Sequence, residues 1–210
     1  MWRSALMVFL IGFGVPLAAS PCINAAHRAA QTHGIPPDVM IALTLVETGR
    51  LHQGGLTPWP WATNVSGQGE WHESRHAARA HIERTLARGQ RNVDIGCFQI
   101  NHRWHRDAFA SLEEMLSPET NADYAARYLR SHYVTAGDWN AAAALYHSRT
   151  PTHQARYRAK FEAIRADLPT FQSTQTAALS GQTGAATGGA LFAPARPLLR
   201  NARPLIGFHR

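Results

Sequence analysis

The chain has 210 residues, enough for one domain of ordinary size with some chain left over. It is 45% hydrophobic and 17% charged, with 16 Gly and 12 Pro, which excludes a collagen-like repeat and a wholly disordered polyelectrolyte. The formal net charge of +7 is too diffuse to indicate a nucleic-acid-binding protein, so we expect no nucleic acid among its partners.

The amino end is organised like a secretory signal peptide. Arg3 precedes an uncharged apolar stretch, and the small residues Ala18, Ala19 and Ser20 offer cleavage positions. The apolar stretch is short for a membrane span. We therefore predict a signal peptide at residues 1–20, a periplasmic location, and no stable membrane span after cleavage. A retained amino-terminal anchor is the alternative.

The chain contains two cysteines, Cys22 and Cys97. An exported protein folds in an oxidising compartment, where an even number of cysteines predicts a disulfide. Two free thiols, one of them buried, are the alternative.

The sequence after the signal peptide predicts mainly α structure with a loop-rich middle. Proline and glycine punctuation predicts helices at about 24–33, 37–48, 74–88, 104–110, 121–132, 139–147 and 152–167. The segment 51–71 is rich in Gly and Pro, which predicts a loop with a short hairpin. Its three tryptophans, Trp59, Trp61 and Trp71, either stack on sugar rings or form a small buried core.

The composition changes at Pro169. From there to Arg210 the chain has no Asp or Glu, and Gly, Thr, Gln, Ser and Ala dominate its first half. This pattern predicts a disordered, basic tail at 169–210 and leaves 21–168 as the folded domain. The tail repeats Ala-Arg-Pro-Leu at 195–198 and 202–205, which is either a short docking motif or an accident of low complexity.

Glu47 is the first candidate for chemistry, because it ends the otherwise apolar helix predicted at 37–48. Apolar surroundings and the negative end of the helix dipole both disfavour the charged carboxylate, so its pKa should be raised. A carboxylic acid still protonated near neutral pH can act as a general acid on an acetal. The alternative is that Glu47 merely marks an exposed helix end.

Two later segments of the chain carry residues that suit the same chemistry on a sugar. The run Asp94-Ile95-Gly96-Cys97-Phe98-Gln99-Ile100-Asn101 places a glycine turn before alternating apolar and amide side chains, which suits a cleft wall that binds sugar hydroxyls and acetamides. The alanine-rich helix predicted at 139–147 delivers the phenol of Tyr146 at its carboxyl end.

Together, these segments resemble the lytic transglycosylases of the lysozyme-like superfamily, in the style of the small members associated with flagella and secretion systems. The resemblance covers about residues 22–168 and implies a mainly α, lysozyme-like domain. It implies that Glu47 is the catalytic acid and base, that Tyr146 lies beside it, and that Asn121 is a structural residue at a helix start. The substrate-binding residues that it implies are Thr48, Gly96, Phe98, Gln99, Ile100 and Tyr146.

The implied substrate is peptidoglycan, cleaved between N-acetylmuramic acid and N-acetylglucosamine. One carboxyl group would serve twice, as acid and then as base, with formation of a 1,6-anhydromuramoyl end, whereas ordinary glycosidases use two carboxyl groups. Asp94, the nearest second carboxylate, is therefore predicted to be structural, and we expect no metal and no cofactor. A flagellar or secretion-system component is the protein partner expected for the tail.

Two other functions stay open at this point. His72-Glu73-Ser74-Arg75-His76 matches the zinc-peptidase motif H-E-x-x-H, although the sequence lacks the extended third ligand. A catalytically silent peptidoglycan-binding assembly factor is the second alternative. It would retain the fold and would use its basic tail for contacts.

Overall fold

A computed structural model describes residues 20–52 and 55–180 of the chain, with side chains as far as residue 168. The predicted signal peptide, apart from Ser20, and the repeats at 195–198 and 202–205 lie outside the described residues. Within the described part, no helix is both long enough and apolar enough to cross a membrane.

The prediction of a mainly α fold is confirmed. The helices are α1 Pro21–His33, α2 Pro37–Thr48, α3 Arg75–Ala87, α4 His102–His105, α5 Leu112–Leu116, α6 Pro118–Ala136, α7 Trp139–His147 and α8 Pro151–Ser180. The short α5 was not predicted, because five residues do not establish a helical period. Helix α8 continues twelve residues past the predicted domain end at 168.

The strands form two small antiparallel sheets. They are β1 Gly49–His52 and β2 Gly55–Pro58 in one sheet, and β3 Ala62–Val65, β4 Gln68–Trp71, β5 Val93–Ile95 and β6 Ile100–Asn101 in the other. The second sheet has the order β4-β3-β5-β6. Its register places Asn64 opposite Asp94, and Asp94 opposite Asn101. The sequence predicted only one short hairpin in this region. The other strands were missed because two to four residues are too few to show an alternation of apolar and polar side chains.

Helix α2 forms the centre of the domain. Pro37 occupies its first turn, and every residue from Val39 to Thr48 is buried. The helix packs against α1 and α8, and an ion pair of 2.6 Å joins Asp38 to Arg165 of α8. A buried helix of this kind has no solvent-facing side, so the carboxyl group near its end lies in the core of the protein.

The three tryptophans of the segment 51–71 are half-buried and pack against the rest of the domain. The indole Nε1 of Trp59 donates to the carbonyl of His72 at 2.7 Å, and that of Trp71 donates to the carbonyl of Thr48 at 3.1 Å. The guanidinium of Arg50 lies over the Trp59 ring, 3.5 Å from its centre. These contacts tie the sheets to the carboxyl end of α2, and they favour packing over sugar stacking for this segment.

Cys22 and Cys97 form a disulfide, as the cysteine count predicts. Both residues are fully buried. The bond joins the first turn of α1 to the turn between β5 and β6, so two segments far apart in sequence are held together beside α2.

Candidate active site

A cavity of about 330 Å³ opens beside the end of α2. Its volume is near the lower end of the range for small-molecule sites, about 300–1,000 Å³. The lining comes from α2, β5, β6, α4, α6 and α7 with the loop that follows α7. The lining residues are Glu47, Asp94, Gln99, Ile100, Asn101, Trp104, His105, Tyr128, Leu145, Tyr146, His147, Ser148 and Arg149.

Glu47 is the buried acid of this cavity, with only 4% of its surface exposed. Burial raises the pKa of its carboxyl group to about 8, although the hydrogen bond from Tyr157 and the charge of Lys160 act in the opposite direction. A carboxyl group with this pKa holds its proton at neutral pH. The pKa increase expected from the sequence is therefore present, and its main cause is desolvation.

The tyrosine bound to Glu47 is Tyr157, which the sequence analysis missed. Its hydroxyl donates to Oε1 of Glu47 at 2.6 Å. The hydroxyl of Tyr146 donates instead to the carbonyl of Phe98, at 2.7 Å. Tyr157 lies on α8, in a buried stripe with Phe161 that continues along the helix. Its place in that stripe was the available signal, since a tyrosine buried there needs a hydrogen-bond partner for its hydroxyl.

The turn between β5 and β6 is built around Gly96 and Asn121. Gly96 has φ +78°, and a Cβ there would lie 3.0 Å from Nδ2 of Asn121. The Asn121 amide donates to the carbonyls of Ile95 and Met115, and its oxygen accepts from the N–H of Phe98. The fully buried Asn121 thus holds the turn in place, in line with the structural role implied by the resemblance.

Gln99 lines the cavity and carries an unused acceptor. Its Nε2 donates to the carbonyls of Gly96 and Ala62, which fixes the orientation of the amide. Its Oε1 is buried and has no hydrogen-bond partner among the described residues. The residue also has φ +50°, an uncommon conformation for a residue other than glycine. An N–H or O–H group of a ligand would satisfy this oxygen.

Asp94 is the second carboxyl group of the lining. Its two oxygens accept from Nδ2 of Asn64, at 2.6 Å, and from Nδ2 of Asn101, at 2.7 Å. Burial raises the pKa of Asp94 to about 7 despite these hydrogen bonds. Because both oxygens are engaged within the sheet, Asp94 is placed to orient strands β3, β5 and β6.

Aromatic rings surround the cavity. Trp104 is 64% exposed, and the Arg103 guanidinium lies 4.7 Å from the centre of its ring. The His147 ring stacks on that of Tyr157, with centroids 4.2 Å apart. Exposed aromatic faces beside buried polar groups suit ligands that present both C–H faces and hydroxyl groups, as sugars do.

Residues 70–166 match the family model described as the transglycosylase SLT domain. The chain carries an SLT domain. This match supports a lytic transglycosylase of the lysozyme-like superfamily, an enzyme that acts on peptidoglycan, and it implies a location in the periplasm or outside the cell. The comparisons with curated proteins and with solved structures found no match.

The matched part of the SLT domain includes Gln99, Tyr146 and Tyr157, whereas Glu47 precedes it. The link between the two is structural. Helix α2 packs against α8 of the matched part, and the hydrogen bond from Tyr157 joins Glu47 to it directly.

Three of the residues predicted to bind substrate do not line the cavity. They are Thr48, Gly96 and Phe98. Thr48 is fully buried, and its hydroxyl shares its one hydrogen between the carbonyls of Thr44, at 3.1 Å, and Cys97, at 3.2 Å. The predicted contact residues in the lining are Gln99, Ile100 and Tyr146. Thr48, Gly96 and Phe98 support the cleft from inside the domain, because the turn between β5 and β6 packs against the end of α2.

The H-E-x-x-H motif does not form a helical metal pair in this SLT domain. His72 precedes α3, which begins at Arg75, and its Nε2 lies 2.8 Å from Oγ1 of Thr63. His76 lies in the first turn of α3 and is exposed. The two histidines therefore do not project from successive turns of one helix, which the peptidase motif requires.

Proposed function

We propose that Glu47 is the single acid and base of a lytic reaction that leaves 1,6-anhydromuramoyl ends on peptidoglycan. The observation that carries this proposal is the Glu47 carboxyl group at the wall of the cavity, only 4% exposed, whose burial raises its pKa to about 8. An acid that is protonated at neutral pH is the form that cleavage of a glycosidic bond requires. A silent binding protein would gain nothing from such a group, because burying it only costs stability.

The reaction begins when Glu47 gives its proton to the glycosidic oxygen as the bond to the muramoyl carbon breaks. The acetamide oxygen of the same sugar stabilises the cationic carbon. The Glu47 carboxylate then takes the proton from the 6-hydroxyl, whose oxygen bonds to that carbon. Glu47 returns to its protonated state, and no water is consumed.

Other residues of the cavity bind the substrate. The unpartnered Oε1 of Gln99 accepts a hydrogen bond from an acetamide N–H or a hydroxyl group of the glycan. Tyr157 holds one oxygen of Glu47, which leaves the second oxygen for the proton transfers. The exposed face of Trp104 stacks on a sugar ring.

The rate of glycan cleavage should fall as pH rises through about 8. Glu47 must be protonated in the free enzyme to act as the acid, and its protonated fraction is lost above its pKa. Lys160, whose pKa burial lowers to about 8, titrates in the same range, so the alkaline limb belongs to both groups. The measurement is kcat/KM for soluble glycan strands between pH 5 and pH 10, at constant ionic strength.

Replacement of Tyr157 tests whether Glu47 contributes to this alkaline limb. The Tyr157 hydrogen bond lowers the pKa of Glu47, so Tyr157→Phe should move the alkaline limb to higher pH. Tyr146→Phe is the matched control, because the Tyr146 hydroxyl bonds the Phe98 carbonyl and should leave the limb in place. An alkaline limb that stays unmoved in Tyr157→Phe would count against Glu47 as the titrating acid.

The setting of the reaction is part of the proposal. The basic, apolar amino end supports export through a signal peptide at residues 1–20, and therefore a periplasmic enzyme. The tail at 169–210, with its repeated Ala-Arg-Pro-Leu, supports contact with a flagellar or secretion-system component during local opening of the wall. Secretion of the mature chain would test the export. Co-purification of a partner with the full chain, compared with a chain that lacks 169–210, would test the role of the tail.

A further inference from the structure

Three metal-ligating side chains meet outside the catalytic cavity. Glu70 lies on β4, His72 follows that strand, and His81 lies on α3. One ligand atom from each residue lies within 4.8 Å of the other two. None of the three lines the cavity, so this cluster is separate from the site of glycan cleavage.

The imidazole of His81 lacks the hydrogen bonds expected of a largely buried ring. Its Nε2 is buried and has no partner among the described residues. Its Nδ1 lies 3.6 Å from Oε2 of Glu70, which is longer than an N–H···O hydrogen bond. Nδ1, the ring nitrogen nearer to Glu70, is therefore available to coordinate a metal ion, and the buried Nε2 lacks the protein partner that buried polar atoms nearly always have.

The second imidazole is already oriented. Nε2 of His72 lies 2.8 Å from Oγ1 of Thr63, and the centroids of the His72 and His81 rings are 4.9 Å apart. A metal-bound histidine commonly engages a protein group through its other ring nitrogen, which sets the orientation of the ring. Thr63 is placed to supply that contact.

The separation between the Glu70 and His81 ligand atoms suits a small ion. Zinc bonds of about 2.0–2.2 Å in a tetrahedron place neighbouring ligand atoms about 3.4 Å apart. The 3.6 Å between Oε2 of Glu70 and Nδ1 of His81 is close to this value. The exposed Glu70 side chain can rotate to bring its carboxylate closer to His72. Two imidazoles with one carboxylate favour zinc or a similar transition metal over calcium or magnesium.

We propose that Glu70, His72 and His81 bind one divalent transition-metal ion, zinc in the first instance, which links β4 to α3. A water molecule completes the tetrahedron. The site differs from the H-E-x-x-H pair, because the partner of His72 is His81 and not His76. Its expected effect is to stabilise the sheet against α3, with glycan cleavage unchanged, since the three ligands lie outside the cavity.

The test is a titration of the purified, metal-stripped chain, without an affinity tag, with zinc chloride in a calorimeter. We expect one saturable site per chain and a rise in melting temperature at saturating zinc. Glu70→Gln and His81→Ala should each weaken this binding by at least about tenfold. His76→Ala, which removes an exposed histidine from the same helix, should bind as the wild type does. Cobalt(II) should give the absorption bands of a tetrahedral site in the wild type and in His76→Ala, and should not give them in Glu70→Gln or His81→Ala.

The absence of saturable one-to-one binding to the wild type would overturn the proposal. Equal zinc affinity in the wild type and in Glu70→Gln would overturn it too, and this variant tests the site even if His81→Ala does not fold, because Glu70 is exposed. A loss of binding in His76→Ala alone would assign the metal to the H-E-x-x-H pair instead.

Discussion

The Glu47→Gln variant should lose glycan cleavage and keep its fold. The amide has nearly the same shape, and its oxygen can still accept from the Tyr157 hydroxyl. It can neither deliver a proton to the glycosidic oxygen nor remove one from the 6-hydroxyl. General acid–base catalysis contributes about 10²–10⁴-fold for each proton transfer, so the loss of a group used in both transfers should reduce the rate to background.

Thermal unfolding provides the internal check on this variant. The pKa of Glu47 is about 8 when folded against an ordinary 4.5, so the folded state holds a proton that the unfolded chain loses between these values. The wild type therefore loses stability as pH rises from 4.5 to 8, and Glu47→Gln should lose less over this range. Glu73→Gln, the same change at an exposed position, is the matched control. It should keep the glycan-cleaving activity of the wild type and the same change of melting temperature with pH. Retention of most of the wild-type turnover by Glu47→Gln would exclude Glu47 as the acid.

Of the substitutions proposed for this protein, removal of the Cys22–Cys97 disulfide should cause the largest loss in the free energy of unfolding. The two residues are 75 apart in sequence, and the chain-entropy model gives a loop of this size roughly 4–5 kcal/mol. The Cys22→Ala/Cys97→Ala double variant should therefore unfold at much lower denaturant concentration than the wild type. The measurement is equilibrium unfolding in urea, followed by far-UV circular dichroism.

Reduction of the wild type is the matched control for the double variant. If the loss of stability arises from the missing crosslink, the reduced wild type and the double variant should unfold at similar urea midpoints. Glycan cleavage should also fall in both, because Cys97 lies between Gly96 and Phe98 in the turn that supports Gln99. Titration of two free thiols in the unreduced, denatured wild type would contradict the disulfide.

The helical framework could be predicted because its signals are local. Helices α2 and α7 lie at the predicted bounds, since prolines, glycines and capping residues mark their ends. Glu47 stood out in the sequence for a related reason, because a carboxyl group at the end of a continuous apolar helix costs free energy to bury. The sequence left open whether this group is buried or exposed, and the structure places it in the core.

The contacts around Glu47 could not be predicted, because they join distant segments. Tyr157 lies 110 residues from Glu47, and local periodicity does not specify that its hydroxyl reaches the carboxyl group. The unpartnered oxygen of Gln99 depends in the same way on the carbonyl of Ala62, 37 residues away. His81 showed no motif with Glu70 and His72, since α3 brings it back to β4 only in the folded chain.

Mass spectrometry of the products tests the central claim most directly. Purified glycan strands digested by the wild type should carry 1,6-anhydromuramoyl ends, each lighter by one water than the hydrolysed equivalent, and digestion in ¹⁸O-labelled water should leave their mass unchanged. This result follows from a single carboxyl group that acts as acid and then as base without water. Reducing ends that incorporate ¹⁸O would identify a hydrolase and contradict the mechanism assigned to Glu47.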